Sequence, residues 1–442
     1  MKQLLCAFAA LTLLASCHKD ASTAYSWEKD LHHRLLCDFK RTQDEVKEYI
    51  QKYIPDVTDE QMAQWDATGA LEWMELDGQK LYFKNAAPNL FRIDSACIAI
   101  KQKEEGTALS KYQKVDSVNV PQVMQEAGKH PQHLAAPKHM RITYTLTVDA
   151  DAVPAGETLR CWLPYPRSDH QRQTDVKFIS ASEPQYTFSD PACAHSTLYM
   201  EKKAVAGQPT VFQETFEYTS SGQYFGLADA MILPYDTTTD LYKEYTAERE
   251  KHIIFTPRLR QLADSLTAGL TTPLQKARAL FLWVDRTFPW ASAREYSTLD
   301  NIPMYVVQSR HGDCGQVSLL FITLCRICGI PAHFQSGFMT HPGAWNLHDW
   351  SEIYFEGVGW VPVDQSFGVP PYARSEAERL FFLGGIDSWR LIVNSDYGKD
   401  LSPQKQYPRS ETVDFQRGEV EWQGGNLYFD QWSYDMDITY ME

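Results

Sequence analysis

Apolar and polar residues alternate along RITYTLTVDA, residues 141–150, with Ile, Tyr, Leu and Val at every second position. Successive side chains of a β-strand point to opposite faces, so this pattern predicts a half-buried strand. The segments TLRCWLPYP and TVFQETFEYTS continue the β-type composition, and turns rich in Pro, Gly and Ser separate them. We therefore predict a β-sandwich domain over residues 141–232.

The chain before this sandwich has a different pattern. In EVKEYIQKYIPDVT the apolar residues recur at helical spacing, which predicts an amphipathic helix. WMELDGQKLYF carries Asp77 and Gly78 between two apolar-rich runs, which is typical of a β-hairpin. We predict a small α+β module over residues 22–100. Residues 101–140 are polar and aperiodic, and we interpret them as a linker or wrapping segment.

Helical spacing returns after the sandwich. Pro257 begins one amphipathic segment, and Pro273 begins a second one directly after the capping residue Thr272. A third helix is predicted after residue 313, and HDWSEIYFEGVGWVPVDQSFG reads as two strands. The fold class is therefore α+β and multidomain, with a core domain over residues 240–370 and an extension over residues 371–442 that packs on it.

One cysteine lies where a helix is predicted to begin. In HGDCGQVSLLFITLCRICGIPA, Asp313 is suited to the N-cap and Gly329 to the C-terminal end. Cys314 therefore lies in the first turn, where unpaired backbone N–H groups and the helix dipole favour negative charge. We expect this position to lower the pKa of the thiol and favour the nucleophilic thiolate. Taken alone, the segment also allows a helix-start cysteine without a chemical role.

The register of the predicted hairpin decides whether a histidine and an aspartate meet. With a three-residue loop Phe355 pairs with Gly359, and His348 and Asp364 then point to the same face as diagonal neighbours. A slip of one residue would send them to opposite faces. In the predicted register His348 can deprotonate Cys314 or pair with its thiolate, while Asp364 orients the other ring nitrogen. These three are the predicted catalytic residues.

Three motifs in this order, HGDCGQVSLLFITLCRICGIPAHFQSG, HDWSE and GWVPVDQS, resemble the core of the transglutaminase-like superfamily over about residues 253–368. The resemblance implies a papain-like cysteine-enzyme core whose helix-start cysteine packs on an antiparallel sheet. It also implies Cys314 as nucleophile, His348 as base and Asp364 as the residue that orients the base. The flanks, including RSETVDFQRGEVEWQGGNLYFDQW, resemble those of bacterial lipoproteins that carry such a core.

The reaction that this resemblance implies is acyl transfer from an amide through a thioester. The backbone N–H of Cys314 should help to bind the oxyanion, and Trp290, Tyr296 and Gln316 are candidates for a second donor. We favour hydrolysis, as by a peptidase or amidase, over cross-linking, because aminolysis needs a site that excludes water and recruits an amine. The alternative, from another class, is a catalytically silent cell-surface scaffold that binds peptide or carbohydrate.

Charge and the N-terminus restrict partners and location. The chain of 442 residues has a formal net charge of −15 and no long basic run, which argues against nucleic acid as a partner. Peptide, protein and glycopeptide substrates all remain open, as does the oligomeric state. Residues 1–17 read as an export signal that ends in LASC, which resembles a lipobox, so we predict lipidation of Cys17. The protein is then expected in the bacterial cell envelope, with membrane contact only through this lipid anchor.

The remaining cysteines and histidines receive structural interpretations. Cys325 and Cys328 share one helix, and its spacing favours core positions over a redox or metal pair. An oxidising compartment would permit disulfides, for example between cysteines 37 and 97 and between 161 and 193, although the sequence does not fix the connectivity. We expect no cofactor and no metal, because the histidines match no usual ligand spacing and no EF-hand loop is present in the sequence.

Overall fold

The protein is described by a computed structural model that covers residues 25–441. The predicted signal peptide and Cys17 lie outside the described residues. Helices and strands contribute similar shares of the described chain, and the strands form antiparallel sheets, so the predicted α+β, multidomain class is confirmed. Within residues 25–441, none of the helices combines the length and the apolar character that a membrane span requires.

Residues 27–105 form short helices around a three-stranded antiparallel sheet with an apolar core of its own. Reciprocal hydrogen bonds between Thr42 and Glu45, and between Thr58 and Gln61, cap two of the helices. The elements are α1 (Trp27–Asp38), β1 (Phe39–Arg41), α2 (Gln43–Gln51), α3 (Asp59–Thr68), β2 (Trp73–Leu76), β3 (Gln79–Phe83), α4 (Ala86–Ile93) and α5 (Ser95–Glu105).

The segment at residues 101–140, which the sequence predicts to be a linker or wrapping segment, contains a long helix, α6 (Lys111–Ala127). Ser110 and Gln113 form a capping box at its start, and Val120 and Val123 in its second half are fully buried. This helix is not evident from the sequence because its first half is polar and its apolar face appears only near the end. α6 packs along the sandwich, so this segment is ordered structure that contributes side chains to the site described below.

Two antiparallel sheets pack face to face as a sandwich and share one apolar core. The alternation predicted from residue 141 is present, since the apolar positions from 142 to 148 are buried. The strands from this part of the chain are β4 (Leu134–Val148), β5 (Thr158–Pro164), β6 (Gln173–Ala181), β7 (Tyr186–Phe188), β8 (Thr197–Lys203) and β9 (Thr210–Tyr224).

The predicted core helices begin near their expected residues, after the caps Thr256, Thr272 and Asp313. The elements are α7 (Asp240–Thr246), α8 (Pro257–Leu266), α9 (Pro273–Thr287), α10 (Ile302–Ser309), α11 (Cys314–Ile327), β10 (Ala332–His341), β11 (Ala344–Phe355) and β12 (Gly359–Val363). α11 is buried on nearly every side and packs on β10 and β11, as a helix that is apolar all round does. Phe355 pairs with Gly359, so the hairpin has the predicted register.

The C-terminal part of the chain completes both the core sheet and the sandwich. Its elements are α12 (Glu376–Arg379), β13 (Gly385–Ile386), β14 (Arg390–Asn394), β15 (Glu419–Trp422), β16 (Gly425–Leu427) and β17 (Trp432–Met441). β14 extends the core sheet, whose order is β12-β11-β10-β14, while β15 pairs with β5 and β17 pairs with β4. The domain limits stay a prediction, but the sandwich draws its strands from both sides of the core in sequence.

The disulfides considered from the sequence are not formed, because every cysteine in the described chain has a free thiol. Cys97 and Cys161 are buried in two different apolar cores. Sγ of Cys37 lies 3.7 Å from Nε2 of His33 on the same helix. Packing of the separate cores, rather than a cross-link, therefore holds these regions together.

Candidate active site

Cys314 lies at the first residue of α11 and faces a cavity of about 620 Å³. The Asp313 carboxylate caps the helix by accepting a hydrogen bond from the Gln316 backbone N–H at 3.0 Å. Gly315 follows, and a side chain there would collide with the hydroxyl of Tyr296. Cys314 is 9% exposed, and this exposed fraction is at the cavity wall. The helix-start position is thus as the sequence predicts.

His348 on β11 lines the same cavity and contacts Asp364, which directly follows β12. Nε2 of His348 lies 2.7 Å from Oδ2 of Asp364. The other carboxylate oxygen of Asp364 accepts a hydrogen bond from the Phe367 backbone N–H at 2.9 Å. Nδ1 of His348 has no hydrogen-bond partner among residues 25–441, so it is the ring nitrogen free to exchange a proton in the cavity.

Arg390 and Asp387 extend this pair into a buried ionic network that the sequence analysis missed. Nη1 of Arg390 lies 2.9 Å from Oδ2 of Asp364, and its Nε donates to Asp387 at 2.8 Å. All three charged side chains are fully buried. The guanidinium also lies over the ring of Phe367, at 4.4 Å from its centre. Arg390 starts a strand whose other residues are apolar or amide-bearing, and nothing in that run identifies its partners.

The charges of this network fix the protonation states of the two predicted residues. Although burial alone would raise it, the neighbouring charges of His348 and Arg390 lower the pKa of Asp364 to about 2. Burial lowers the pKa of His348, and Arg390 acts in the same direction against the attraction of Asp364. At neutral pH Asp364 is therefore ionised beside Arg390, and His348 is a neutral base.

The thiol of Cys314 does not hydrogen-bond to His348 in this structure. Its Sγ donates to Oδ2 of Asp349 at 3.3 Å, and Nε2 of Gln416 donates to Oδ1 of the same carboxylate at 2.8 Å. Asp349 directly follows His348 on β11; its carboxylate contacts the thiol, while His348 contacts Asp364. Asp349 is the aspartate of the HDWSE motif, and nothing in the local sequence indicates its contact with the thiol.

The expectation of a lowered thiol pKa is wrong. Burial raises the pKa of Cys314 well above its ordinary value, and the nearby carboxylates of Asp349 and Asp313 raise it further. The helix starts where the sequence predicts. The predicted effect on the thiol pKa, however, leaves out the carboxylates of Asp349 and Asp313, which the fold brings close to Cys314. The resting thiol is therefore protonated at neutral pH.

The three candidate oxyanion donors have different positions. Trp290 and Tyr296 line the cavity, whereas the side chain of Gln316 is fully buried and does not. The Tyr296 hydroxyl already donates to Oδ1 of Asp313 at 2.7 Å. Trp290 is 45% exposed, and a β-bridge between its backbone and that of Gly312 fixes it near the start of α11. Trp290 and Tyr296 therefore remain candidates, and Gln316 does not.

A buried group with metal-ligand side chains lies behind the network, where Nε2 of His341 approaches Asp116 at 3.0 Å and Asp387 at 3.5 Å. Burial raises the pKa of Asp116 to about 6. Arg390 already supplies a positive charge to Asp387, so an added cation would be placed against that guanidinium. We therefore describe this group as part of the ionic network.

Residues 260–365 match the family model of the transglutaminase-like superfamily. A search of solved structures matches a candidate cysteine protease from Cytophaga hutchinsonii at 13% identity, covering 70% of this chain and 92% of that one, with a TM-score of 0.45. It also matches the periplasmic domain of TgpA from Pseudomonas aeruginosa at 14% identity, covering 59% and 94% respectively, with a TM-score of 0.28. No curated protein matches the chain.

The family match contains the helix start and both strands of the hairpin described above. It therefore includes Cys314, His348 and Asp364, while the sandwich and the N-terminal module lie outside it. This chain thus carries a transglutaminase-like domain at residues 260–365.

Proposed function

We propose that this protein is a thiol enzyme that transfers acyl groups from amide bonds. Cys314 is the nucleophile, His348 the general base and acid, and Asp364 the residue that orients His348. The observation that carries the proposal is the 2.7 Å contact between His348 and Asp364, made beside a cavity that Cys314 also lines. A transglutaminase-like domain over these residues supports the same class of enzyme.

The reaction starts from a neutral thiol and a neutral imidazole. Nδ1 of His348 takes the thiol proton as Sγ of Cys314 adds to the amide carbonyl. The resulting oxyanion is bound by the Cys314 backbone N–H, with Trp290 or Tyr296 as a second donor. The imidazolium then protonates the leaving amine, and a thioester remains. His348 next takes a proton from water, which attacks the thioester, releases the acid and restores the thiol.

Hydrolysis is preferred over cross-linking because the cavity is open to solvent and water is always available. The test is turnover of a peptide library with and without an added primary amine. Release of free acids that needs Cys314 supports the hydrolase, whereas amine conjugates would make the protein a cross-linking enzyme.

A second candidate function is the catalytically silent binding scaffold. It is favoured by one observation, the bond from the Cys314 thiol to the carboxylate of Asp349 instead of to His348. Slow alkylation of the free thiol does not separate the two functions, because the pKa of Cys314 is raised in either case. Binding of peptides or glycans without any turnover, unchanged in Cys314→Ala, would favour the scaffold.

We also propose that Cys17 is lipidated and that the protein is anchored in the bacterial cell envelope. The support is the apolar run that ends in LASC at residues 14–17. Growth with a labelled fatty acid should label the protein and leave Cys17→Ala unlabelled. Label retained by the variant, or absent from both forms, would contradict the anchor.

A further inference from the structure

The wall of the cavity holds more acidic groups than its cations can neutralise. Two arginines are present, and both are committed to structural partners. Arg417 pairs with Glu295 at 2.8 Å and with Glu411 at 2.7 Å, while Arg294 lies 3.6 Å from Glu72, outside the cavity wall. The acidic residues of the wall are Glu295, Asp313, Asp349, Glu411 and Asp414.

Asp414 is the member of this group that lacks a partner. Asp349 accepts hydrogen bonds from Cys314 and Gln416, and Glu411 pairs with Arg417. Within residues 25–441, nothing donates a hydrogen bond to the carboxylate of Asp414, and no cation lies within ion-pair distance of it. The residue is only 5% exposed, and what is exposed faces the cavity.

A carboxylate that is buried without a partner is costly, because it gives up hydration without gaining a compensating charge. Burial and the neighbouring carboxylates of Glu411 and Asp349 accordingly raise the pKa of Asp414 well above its ordinary value. A ligand that brings positive charge to this position would remove the imbalance. Tyr112, Trp345 and Phe367 also line the cavity and are available to pack along an alkyl chain.

We propose that Asp414 binds a primary ammonium group of the substrate, so that the enzyme acts on amides that carry this group close to the scissile bond. The inference rests on the proposed function and gives it a substrate class. An ammonium offers three N–H donors and fits a site with several carboxylate oxygens. A protonated amine has no lone pair and cannot attack the thioester. The subsite therefore recognises the charge of the substrate and does not supply an amine that would resolve the acyl-enzyme.

The subsite also connects recognition to reactivity. A positive charge beside Asp414 opposes the field of Asp349 and Asp313 at Sγ of Cys314. Substrates with the ammonium group should therefore favour the thiolate in the bound complex, whereas the resting enzyme keeps its thiol protonated. Selectivity for the charged substrate is thus expected in acylation as well as in binding.

Binding to the full-length Cys314→Ala protein tests the subsite without any need for turnover. The probes are acetylated tetrapeptide amides with one lysine scanned through the four positions, each matched by a peptide with norleucine, which lacks the charge. Calorimetry should give a Kd for at least one lysine peptide that is about tenfold to a hundredfold lower than for its norleucine match. Equal affinities throughout the scan, together with no gain in affinity from a free peptide N-terminus, would overturn the subsite.

The variant Asp414→Asn in the same background should reduce this preference to about twofold or less. Asp400→Asn is the matched control, since Asp400 is exposed on a loop and should leave the preference unchanged. A full lysine preference in Asp414→Asn would assign the selectivity to another group and contradict the inference. Should that variant fail to fold, Asp414→Ser replaces it, and the lysine-to-norleucine ratio of the parent protein remains a test.

Two sources could supply the ammonium, a lysine-type side chain or a free peptide N-terminus. Norleucine peptides with and without the acetyl group distinguish them, because only the free N-terminus restores tight binding if the α-amine is the ligand. Failure of the two proposals is also distinguishable. If the protein with Cys314 prefers the charged peptides but turns none of them over, the proposed enzyme is contradicted and the subsite is retained. If it turns peptides over without preferring the charged ones, the subsite is contradicted and the enzyme is retained.

Discussion

The two sides of the cavity differ in how their charges are arranged. On the side of His348, each charge has a counter-charge: Asp364 contacts both His348 and Arg390, and Arg390 also contacts Asp387. On the side of Cys314, acidic groups meet: Asp349 accepts a hydrogen bond from the thiol and Asp414 lines the same cavity, and within residues 25–441 neither has a cation at ion-pair distance. In the free protein the charges on the His348 side are therefore compensated, whereas the acidic groups on the Cys314 side are not.

This difference indicates which part of the machinery is ready before substrate arrives. Asp364 is held ionised by its neighbouring charges and orients His348, while burial and Arg390 lower the pKa of His348 and favour its neutral form. The thiol is held protonated by its surroundings until a proton acceptor and a suitable charge are both present. Such an arrangement protects a reactive thiol from unwanted reactions and makes its activation depend on the substrate.

The largest expected effect on activity comes from removing the proposed base, His348. His348→Gln should lower kcat/KM by about 10⁴-fold to 10⁶-fold, because loss of one member of such a unit removes most of its contribution. His130→Gln, an exposed position remote from the cavity, is the control and should stay within twofold. The measurement is steady-state peptide hydrolysis. Residual activity above a tenth of the parent would exclude His348 as the base.

Removing the buried cation should cost stability as well as activity. Arg390→Met leaves Asp364 and Asp387 without their counter-charge, and we expect a loss of about 3–5 kcal/mol in the free energy of unfolding. The lowered pKa of Asp364 stabilises the parent above pH 4, and this contribution disappears as the pH falls toward 2. In the variant that pH dependence should be weaker, because only the interaction with His348 and the backbone hydrogen bond still lower the pKa of Asp364. Urea unfolding from pH 2 to 7 measures it, with the exposed Arg374→Met as a control that should change by less than 0.5 kcal/mol.

On the side of the cavity that holds His348, the sequence predicts some of the contacts but not all of them. Strand alternation and the loop length fixed the register that brings His348 to Asp364, because both are local properties of one hairpin. Arg390 comes from a strand that pairs with β10 after an excursion of some thirty residues beyond the hairpin. No local pattern encodes such a partner, so its position depended on the packed fold.

The Cys314 side shows the opposite case, where a correct local prediction led to a wrong chemical one. Helical spacing and the Asp313 cap placed the thiol at the start of α11. The pKa, however, depends on Asp349 from another element and on burial, neither of which the helix pattern contains. Similarly, the polar start of α6 hid the helix that brings Tyr112 to the cavity.

Removing the carboxylate of Asp349 tests whether the acidic groups on the Cys314 side suppress the reactivity of the thiol. Asp349→Asn removes the carboxyl group that contacts Sγ and should lower the pKa of Cys314, so the alkylation rate at pH 8 should rise about tenfold. Iodoacetamide labelling followed by peptide mass analysis gives this rate. Asp437→Asn, exposed on β17, should show no change. A slower reaction in Asp349→Asn would mean that this carboxylate assists the thiol.

The smallest effect is expected at the helix cap. Burial raises the pKa of Asp313 to about 6, so the folded protein binds an additional proton between pH 4 and 6. Asp313 therefore costs stability above pH 6, and this cost disappears as the pH falls toward 4. Asp313→Asn preserves the cap and should raise the free energy of unfolding by about 1 kcal/mol at pH 8 and by nothing at pH 4. Urea unfolding at both pH values checks the sign, and a gain at pH 4 alone would contradict it.

The most direct test of the proposed chemistry is to trap the acyl-enzyme and measure its intact mass. Protein without residues 1–17 is mixed with the lysine-containing peptide library, quenched in acid within seconds and compared with Cys314→Ala. We expect a mass increase equal to one acyl fragment, placed on Cys314 by peptide mapping and absent from the variant. Turnover of any library peptide without such an adduct, and equal in Cys314→Ala, would contradict thiol catalysis.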